Sequence, residues 1–189
     1  RDSPEPNAEE TTGRINAMPG YIGGRFNMPG IKWIGSGPQN PFKYGLPRGS
    51  AVIVLNDPET KVPIAIMDGT LISAIRTGAV TGVCAKYMAP SRSKTVGLFG
   101  AGPQCETQLM ALKASLPQLE KAYVYDLSRE RAEKIAAEMS QKLNMDVQAA
   151  SDRLATIESG DILVTATTAT EPIIHGAEIK KGVYVAHLG

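Results

Sequence analysis

Gly100-Ala101-Gly102 closes a short apolar run (Val96, Leu98, Phe99), and a helix-like segment opening on Pro103-Gln104 follows at once. Glycines there let the backbone turn sharply and approach a pyrophosphate, whose charge meets the free N–H groups of a helix N-terminus. Asp126 ends the next apolar run, 26 positions beyond Gly100. At that spacing a carboxylate accepts from an adenosine ribose 2′-OH and repels a 2′-phosphate, which favours NAD over NADP; Arg129 leaves some room for NADP. Asp126 also reads as a surface residue that starts a turn before Ser128. The third small position of the glycine pattern is Cys105, either a compact packing thiol or one activated by the helix start. Thr165-Ala166-Thr167-Thr168 follows a later apolar run; it could touch the nicotinamide ribose or simply close a turn. Lys32 and Arg76 are basic residues in apolar company (Ile31 to Ile34; Ile72, Ile75 and Ala79). Together they could clamp a carboxylate, Arg bidentately; singly, each reads as a solvated side chain with a buried stem.

These residues need elements to hold them. Residues 1–13 are polar and Pro-containing and read as a loop or exposed arm. Arg14 to Gly49 is Gly- and Pro-rich, with short apolar pieces at Tyr21-Ile22 and Ile31 to Ile34. Ala51–Leu55 and Ile64–Met67 read as strands separated by the turn chemistry of Asn56 to Lys61. A small, mostly antiparallel sheet is expected. Over Asp68 to Ala89 the period becomes helical: Ile72, Ile75, Ala79 and Val83 share a face, Arg76 and Thr77 lie on another, and Gly78 and Gly82 offer close approach to a neighbouring backbone. Pro90 ends that helix. From Thr95 the rhythm is strand, helix, strand, helix: apolar positions Leu109, Leu112 and Leu116 on one helix, and Ala132, Ile135, Ala136, Met139 and Leu143 on the next, which Ser128 can cap. Alternation of this kind predicts a parallel sheet covered on both faces. The expected class is α/β, a Rossmann-type parallel-sheet domain at 91–189 and a smaller domain at 1–90, linked by a helix over about 69–89.

Composition excludes several classes. The 189 residues carry a formal net charge of +1, with 42% hydrophobic and 5% aromatic residues. No basic cluster is interleaved with aromatics, which argues against a nucleic-acid partner, and nothing suggests a membrane surface. No apolar run approaches the ~20 residues of a membrane span, and no signal-peptide pattern opens the chain. Two cysteines, Cys84 and Cys105, make no disulfide framework, so a cytoplasmic location is the default. His175 and His187 stand alone and no metal-ligand spacing occurs. Both ends read as cut: Arg1 is not an initiator methionine, and Gly189 follows directly on the strand-like run Val183 to His187.

Six segments together resemble the ornithine cyclodeaminase/μ-crystallin family: Met18 to Gly24, Gly30 to Ile34, Met67 to Thr70, Arg76 to Ala79, Gly100 to Gln104, and Thr165 to Thr167. The resemblance runs in order from about Arg14 to Gly189. It implies an NAD(P)-dependent, homodimeric enzyme acting on an amino acid or cyclic imine, by hydride transfer at Cα in cyclodeamination, oxidative deamination or imine reduction. The smaller domain at 1–90 would then be the one that binds substrate and builds the dimer. It implies that Lys32 and Arg76 hold the substrate carboxylate, with Arg14 as a third, loosely aligned contact. Thr77 and the turn Gly100, Ala101, Gly102, Pro103 and Gln104 would meet the cofactor phosphates. Asp126 would meet the ribose, and Thr165, Ala166 and Thr167 the nicotinamide end. The catalytic aspartate of the cyclodeaminases falls beyond Gly189. A non-catalytic NAD(P)-binding protein of the μ-crystallin type is the alternative. An S-adenosylmethionine methyltransferase also uses a glycine turn and a later acid, but Pro103 and the Lys32 and Arg76 segments argue against it.

Overall fold

The structure is a computed structural model that describes residues 13–169 and 171–188. The polar arm read at residues 1–13 lies outside the described residues except for Gly13, and Gly189 lies outside them too. The chain divides into two compact units, Arg1–Ser73 and Ala74–Gly189.

In the first unit, β1 (Arg14–Ile22), β2 (Met28–Ser36), β3 (Gly49–Asn56) and β4 (Pro63–Asp68) form an antiparallel sheet in the order β1-β2-β3-β4. Strand β1 is longer than its apolar residues suggest. It lies on the sheet edge, where Pro19 and the glycines cost few ladder bonds. The β3–β4 turn is held by Asp57, whose Oδ1 accepts from the N–H groups of Glu59 (3.0 Å) and Thr60 (2.7 Å).

In the second unit, five parallel strands run in the order β7-β6-β5-β8-β9. They are β5 (Thr95–Phe99), β6 (Lys121–Tyr125), β7 (Asp146–Ala149), β8 (Ile162–Thr165) and β9 (Tyr184–His187). Helix α1 (Thr70–Met88) begins in the first unit and continues into this one. Helices α2 (Pro103–Ser115), α3 (Arg129–Leu143) and α4 (Arg153–Ser159) connect the strands. Chain direction away from the centre reverses between β5 and β8, which makes their carboxyl ends the switch point where such sheets bind ligands.

Alternation along the strands feeds two cores. Val96, Leu98, Val124, Ile162 and Val164 pack with Leu109, Leu112 and Leu116 after α2 and with Ala132, Ala136 and Met139 of α3. On the opposite face Phe99 and Leu163 pack with Ile157 of α4. The expected cover on both faces is present, and the two helical stripes read from the sequence are the ones that pack inward.

Helix α1 is different. Its apolar residues Ile72, Ile75 and Val83 are exposed, whereas Ser73, Gly78, Thr81, Gly82 and Ala85 are buried. Small size governs this: a Cβ on Gly78 would lie 2.3 Å from the Thr107 carbonyl oxygen, and one on Gly82 2.7 Å from that of Ala111. The backbone of α2 therefore occupies the space that side chains would fill. Among the described residues no helix is long and apolar enough to cross a membrane.

Two effects oppose each other in Gly78→Ala. Alanine favours the helix by about 1 kcal/mol, while overpacking against backbone costs about 1–3 kcal/mol or more. At 2.3 Å the steric term dominates, so the variant should lose stability in urea unfolding by roughly 1–2 kcal/mol. The exposed substitution Ala79→Ser should stay within about 0.5 kcal/mol. Equal midpoints for the two variants would refute the close approach.

Candidate functional site

Strand β5 delivers the chain to Gly100, which has φ +102°, a region that side chains rarely adopt. Its N–H donates to the Tyr125 carbonyl at 2.8 Å. A Cβ here would sit 2.5 Å from the Ala166 carbonyl oxygen and 3.0 Å from Thr167 Cγ2. The glycine turn thus lies directly against the turn that follows β8, and nothing larger than hydrogen fits.

Gly102 is extended and, having no side chain, caps α2 with its backbone alone. Around its missing Cβ there is open space. Pro103 starts the helix, where its lack of an N–H costs nothing. The result is a helix N-terminus without a side-chain cap, facing a clear approach, which suits a pyrophosphate.

Asp126 follows β6 and braces that turn. Its Oδ2 accepts from the Ala101 N–H at 2.8 Å; its Oδ1 accepts from the Ser128 N–H at 2.8 Å and from Arg131 Nη2 at 2.9 Å. The carboxyl is nearly buried while Arg131 stays exposed. Burial pushes the Asp126 pKa up, but the Ala101 and Ser128 N–H groups and the Arg131 charge outweigh it and hold the group below the usual carboxylate value. Oδ2 keeps one acceptor direction for a hydroxyl donor.

Cys105 is fully buried, and its thiol is pushed up to about 12 by burial and by the neighbouring Asp126 and Glu106 charges. The thiol packs in the core beside Leu109 and Leu112 as a compact, neutral group. The turn after β8 is held by the Ala166 N–H, which donates to the Phe99 carbonyl at 2.8 Å, while the Ala169 N–H donates to the Thr167 hydroxyl at 3.2 Å. Farther along that crossover, Arg153 of α4 grips Glu178 through Nη1 (2.7 Å) and Nη2 (2.6 Å), and Nη1 also donates to the Ile173 carbonyl at 2.7 Å. Hydrogen bonds from Arg153 and from the His175 N–H hold Glu178 down at about 2.

In the first unit Lys32 is half-buried, and its Nζ donates to Ser73 Oγ at 3.1 Å. Ser73 lies buried in the first turns of α1, whereas Arg76, farther along the same helix, is exposed. Arg14 stands opposite Ser36 in the sheet, whereas Lys32 stands opposite Met18. Four residues of strand, about 13 Å, separate the two positions. Arg14 instead lines an open cleft with Ser36, Gln39 and Ser50. Thr77 is on α1 beside Gly78, partly buried.

Three contributors were not visible in the sequence: Arg131 on Asp126, the Arg153–Glu178 grip, and His187, whose Nδ1 lies 2.6 Å from Thr165 Oγ1. Arg131 alone carried a local signal, sitting in the first turn of a helix whose preceding turn holds an acid. Among the described residues no group of three potential metal ligands comes together.

The family model for the ornithine cyclodeaminase/mu-crystallin family matches residues 3–189. The N-((2S)-2-amino-2-carboxyethyl)-L-glutamate dehydrogenase of Staphylococcus aureus is 34% identical over 97% of this chain and 55% of its own length. Among solved structures, the Thermococcus litoralis Delta(1)-pyrroline-2-carboxylate reductase in complex with NADH and L-proline superposes with a TM-score of 0.89 at 41% identity, covering 96% of this chain and 55% of that one. An archaeal alanine dehydrogenase dimer with bound NAD gives a TM-score of 0.84 at 32% identity, covering 94% and 53%. The chain therefore spans about half the length of these relatives.

Asp126→Ala should lower stability at neutral pH by roughly 2 kcal/mol, the cost of two backbone donors and one guanidinium losing their acceptor. Because the folded pKa is depressed, this stabilisation is present above the ordinary value of 3.8 and disappears as pH falls through the folded value. Urea unfolding from pH 6 to pH 2 should show the gap between parent and variant closing in acid. A gap that does not change with pH would mean the carboxylate is not the brace.

Proposed function

The chain belongs to the ornithine cyclodeaminase/mu-crystallin family, and on that premise we propose that it is part of an NAD-dependent oxidoreductase acting at Cα of an L-amino acid or at the matching imine. One observation carries the reading. The left-handed glycine turn, the uncapped N-terminus of α2 and the Asp126 carboxylate converge at the switch point of a β7-β6-β5-β8-β9 sheet. The open space at Gly102 and the spare acceptor direction on Asp126 suit a dinucleotide with an unmodified ribose.

Bound there, NAD would supply the hydride acceptor, or NADH the donor. The protein's own part is to bind and orient. Gly100, Ala101, Gly102, Pro103 and Gln104 receive the pyrophosphate along the backbone, with Thr77 as a further phosphate contact. Asp126 accepts from the ribose 2′-OH, and its charge opposes a 2′-phosphate. Thr165, Ala166 and Thr167 line the nicotinamide end.

Lys32 and Arg76 are assigned to the substrate carboxylate, with Arg14 as a weaker candidate because it faces a different cleft. Fixing the carboxylate fixes Cα, and such positioning accounts for much of the rate in a transfer between two bound partners. Oxidation of an amino acid or reduction of an imine is preferred to cyclodeamination, since the relatives at 34% and 41% identity are a dehydrogenase and a reductase. A homodimer is the proposed assembly, in keeping with the dimeric alanine dehydrogenase and with the exposed Trp33, Ile64 and Ile66 of the first unit.

Fluorescence titration should give tighter binding of NADH than of NADPH; the opposite order would remove the ribose role from Asp126. With an amino-acid and cyclic-imine panel followed by NADH absorbance, Arg76→Ala should raise KM about tenfold or more for any substrate found, as expected for a lost charged hydrogen bond of roughly 1.5–3 kcal/mol. An unchanged KM would remove Arg76 from the clamp.

A further inference from the structure

His187 ends β9 in register with Thr165 at the end of β8. The same row continues through Phe99 to Tyr125, whose rings stand 6.0 Å apart. Four strand ends thus present one line of side chains at the carboxyl edge, because residues in register on parallel strands share a face. Within that line Thr165 is buried, and its hydroxyl oxygen lies 2.6 Å from His187 Nδ1.

Topology says which half of a dinucleotide this end would meet. Asp126 takes the adenosine ribose on the β6 side, and the N-terminus of α2 takes the pyrophosphate. The remaining half, nicotinamide with its ribose, must cross the switch point and pass over β8 and β9. The Thr165–His187 pair stands there. Backbone bonds hold the same place: the Leu188 N–H donates to the Thr165 carbonyl at 3.0 Å, the Ala166 N–H to that of Phe99 at 2.8 Å, and Ala166 lies against Gly100. Only the side-chain orientation of Thr165 is left for another group to set, and the imidazole sets it.

Resting on the cofactor reading above, we propose that His187 is a positioning residue for the nicotinamide half of the dinucleotide. It fixes the Thr165 hydroxyl, one of the groups assigned to the nicotinamide end. The imidazole is not assigned a step in hydride transfer; its effect is on where the nicotinamide ring is held. A Thr165 side chain left without this anchor must be ordered when the nucleotide binds, which corresponds to a roughly three- to tenfold loss of affinity.

Binding separates the halves without any need for turnover. The dissociation constants of NADH and of ADP, which lacks the nicotinamide half, would be measured for the parent, His187→Ala, His187→Asn and Thr165→Val, with circular dichroism to verify folding. His187→Ala and Thr165→Val should each weaken NADH roughly three- to tenfold and leave ADP unchanged. His187→Asn should recover most of the loss, because the asparagine amide places a polar atom where Nδ1 stood. NADH affinity that does not change in His187→Ala would overturn the proposal, as would equal losses for NADH and ADP or failure of asparagine to rescue. If His187→Ala does not fold, His187→Leu, which keeps side-chain bulk without a polar atom, replaces it in the comparison with His187→Asn. A parent that binds neither nucleotide defeats the cofactor reading itself, and this inference with it.

Discussion

One carboxylate ties together the two turns on which the nucleotide end of this fold depends. Asp126 accepts from Ala101 in the turn after β5 and from Ser128 in the turn after β6, with Arg131 closing the outer side. Neither turn contains enough apolar surface to fix itself, since Gly100, Ala101 and Gly102 bring almost no side chain. A nearly buried acceptor with backbone donors on two loops does what packing cannot. Its desolvation is costly in isolation, but hydrogen bonds to a charged group are worth roughly 1.5–3 kcal/mol, and three donors outweigh that cost.

The parallel-sheet unit was largely legible because its signals are local. Apolar runs of four or five residues marked the strands, Pro103 marked the start of α2, and Ser128 accepts from the Arg131 N–H at 3.4 Å as a helix cap should. For Asp126 the sequence left two readings, a ribose acceptor or a residue starting a turn. The structure shows that they are compatible: Oδ1 starts the turn, and Oδ2 retains an acceptor direction. Long-range pairs were a different matter. Thr165 and His187 lie 22 residues apart and meet only through parallel pairing of β8 with β9; Arg153 and Glu178 lie 25 apart and meet only when the crossover folds back on α4. Nothing in residue type or spacing encodes such meetings until the sheet order is known.

Patterning misleads at the edge of the antiparallel sheet and along α1. Period-two alternation is weak in β1 because an edge strand tolerates Pro and Gly, and so its length was hidden. Helix α1 carries an apolar stripe that reads as a packing face, yet the side it buries is lined by Gly, Ser, Thr and Ala. Contact there is governed by how near two backbones can come and not by hydrophobic area. Lys32, set within an apolar strand, is accommodated by the buried hydroxyl of Ser73, so its head group is held in place instead of reaching freely into water.

The protonated state of Cys105 has a consequence for the electrostatics of α2. Burial and the nearby Asp126 and Glu106 charges raise its pKa and keep it a neutral thiol at neutral pH. The other acid of that first turn, Glu106, is already matched by Lys142. A helix N-terminus carries about half a unit of positive charge, and an unmatched anion built into its first turn would cancel much of it before any ligand arrived. Here one such group is neutral and the other is balanced from α3. Neither group within the first turn therefore offsets the positive pole that would face a phosphate.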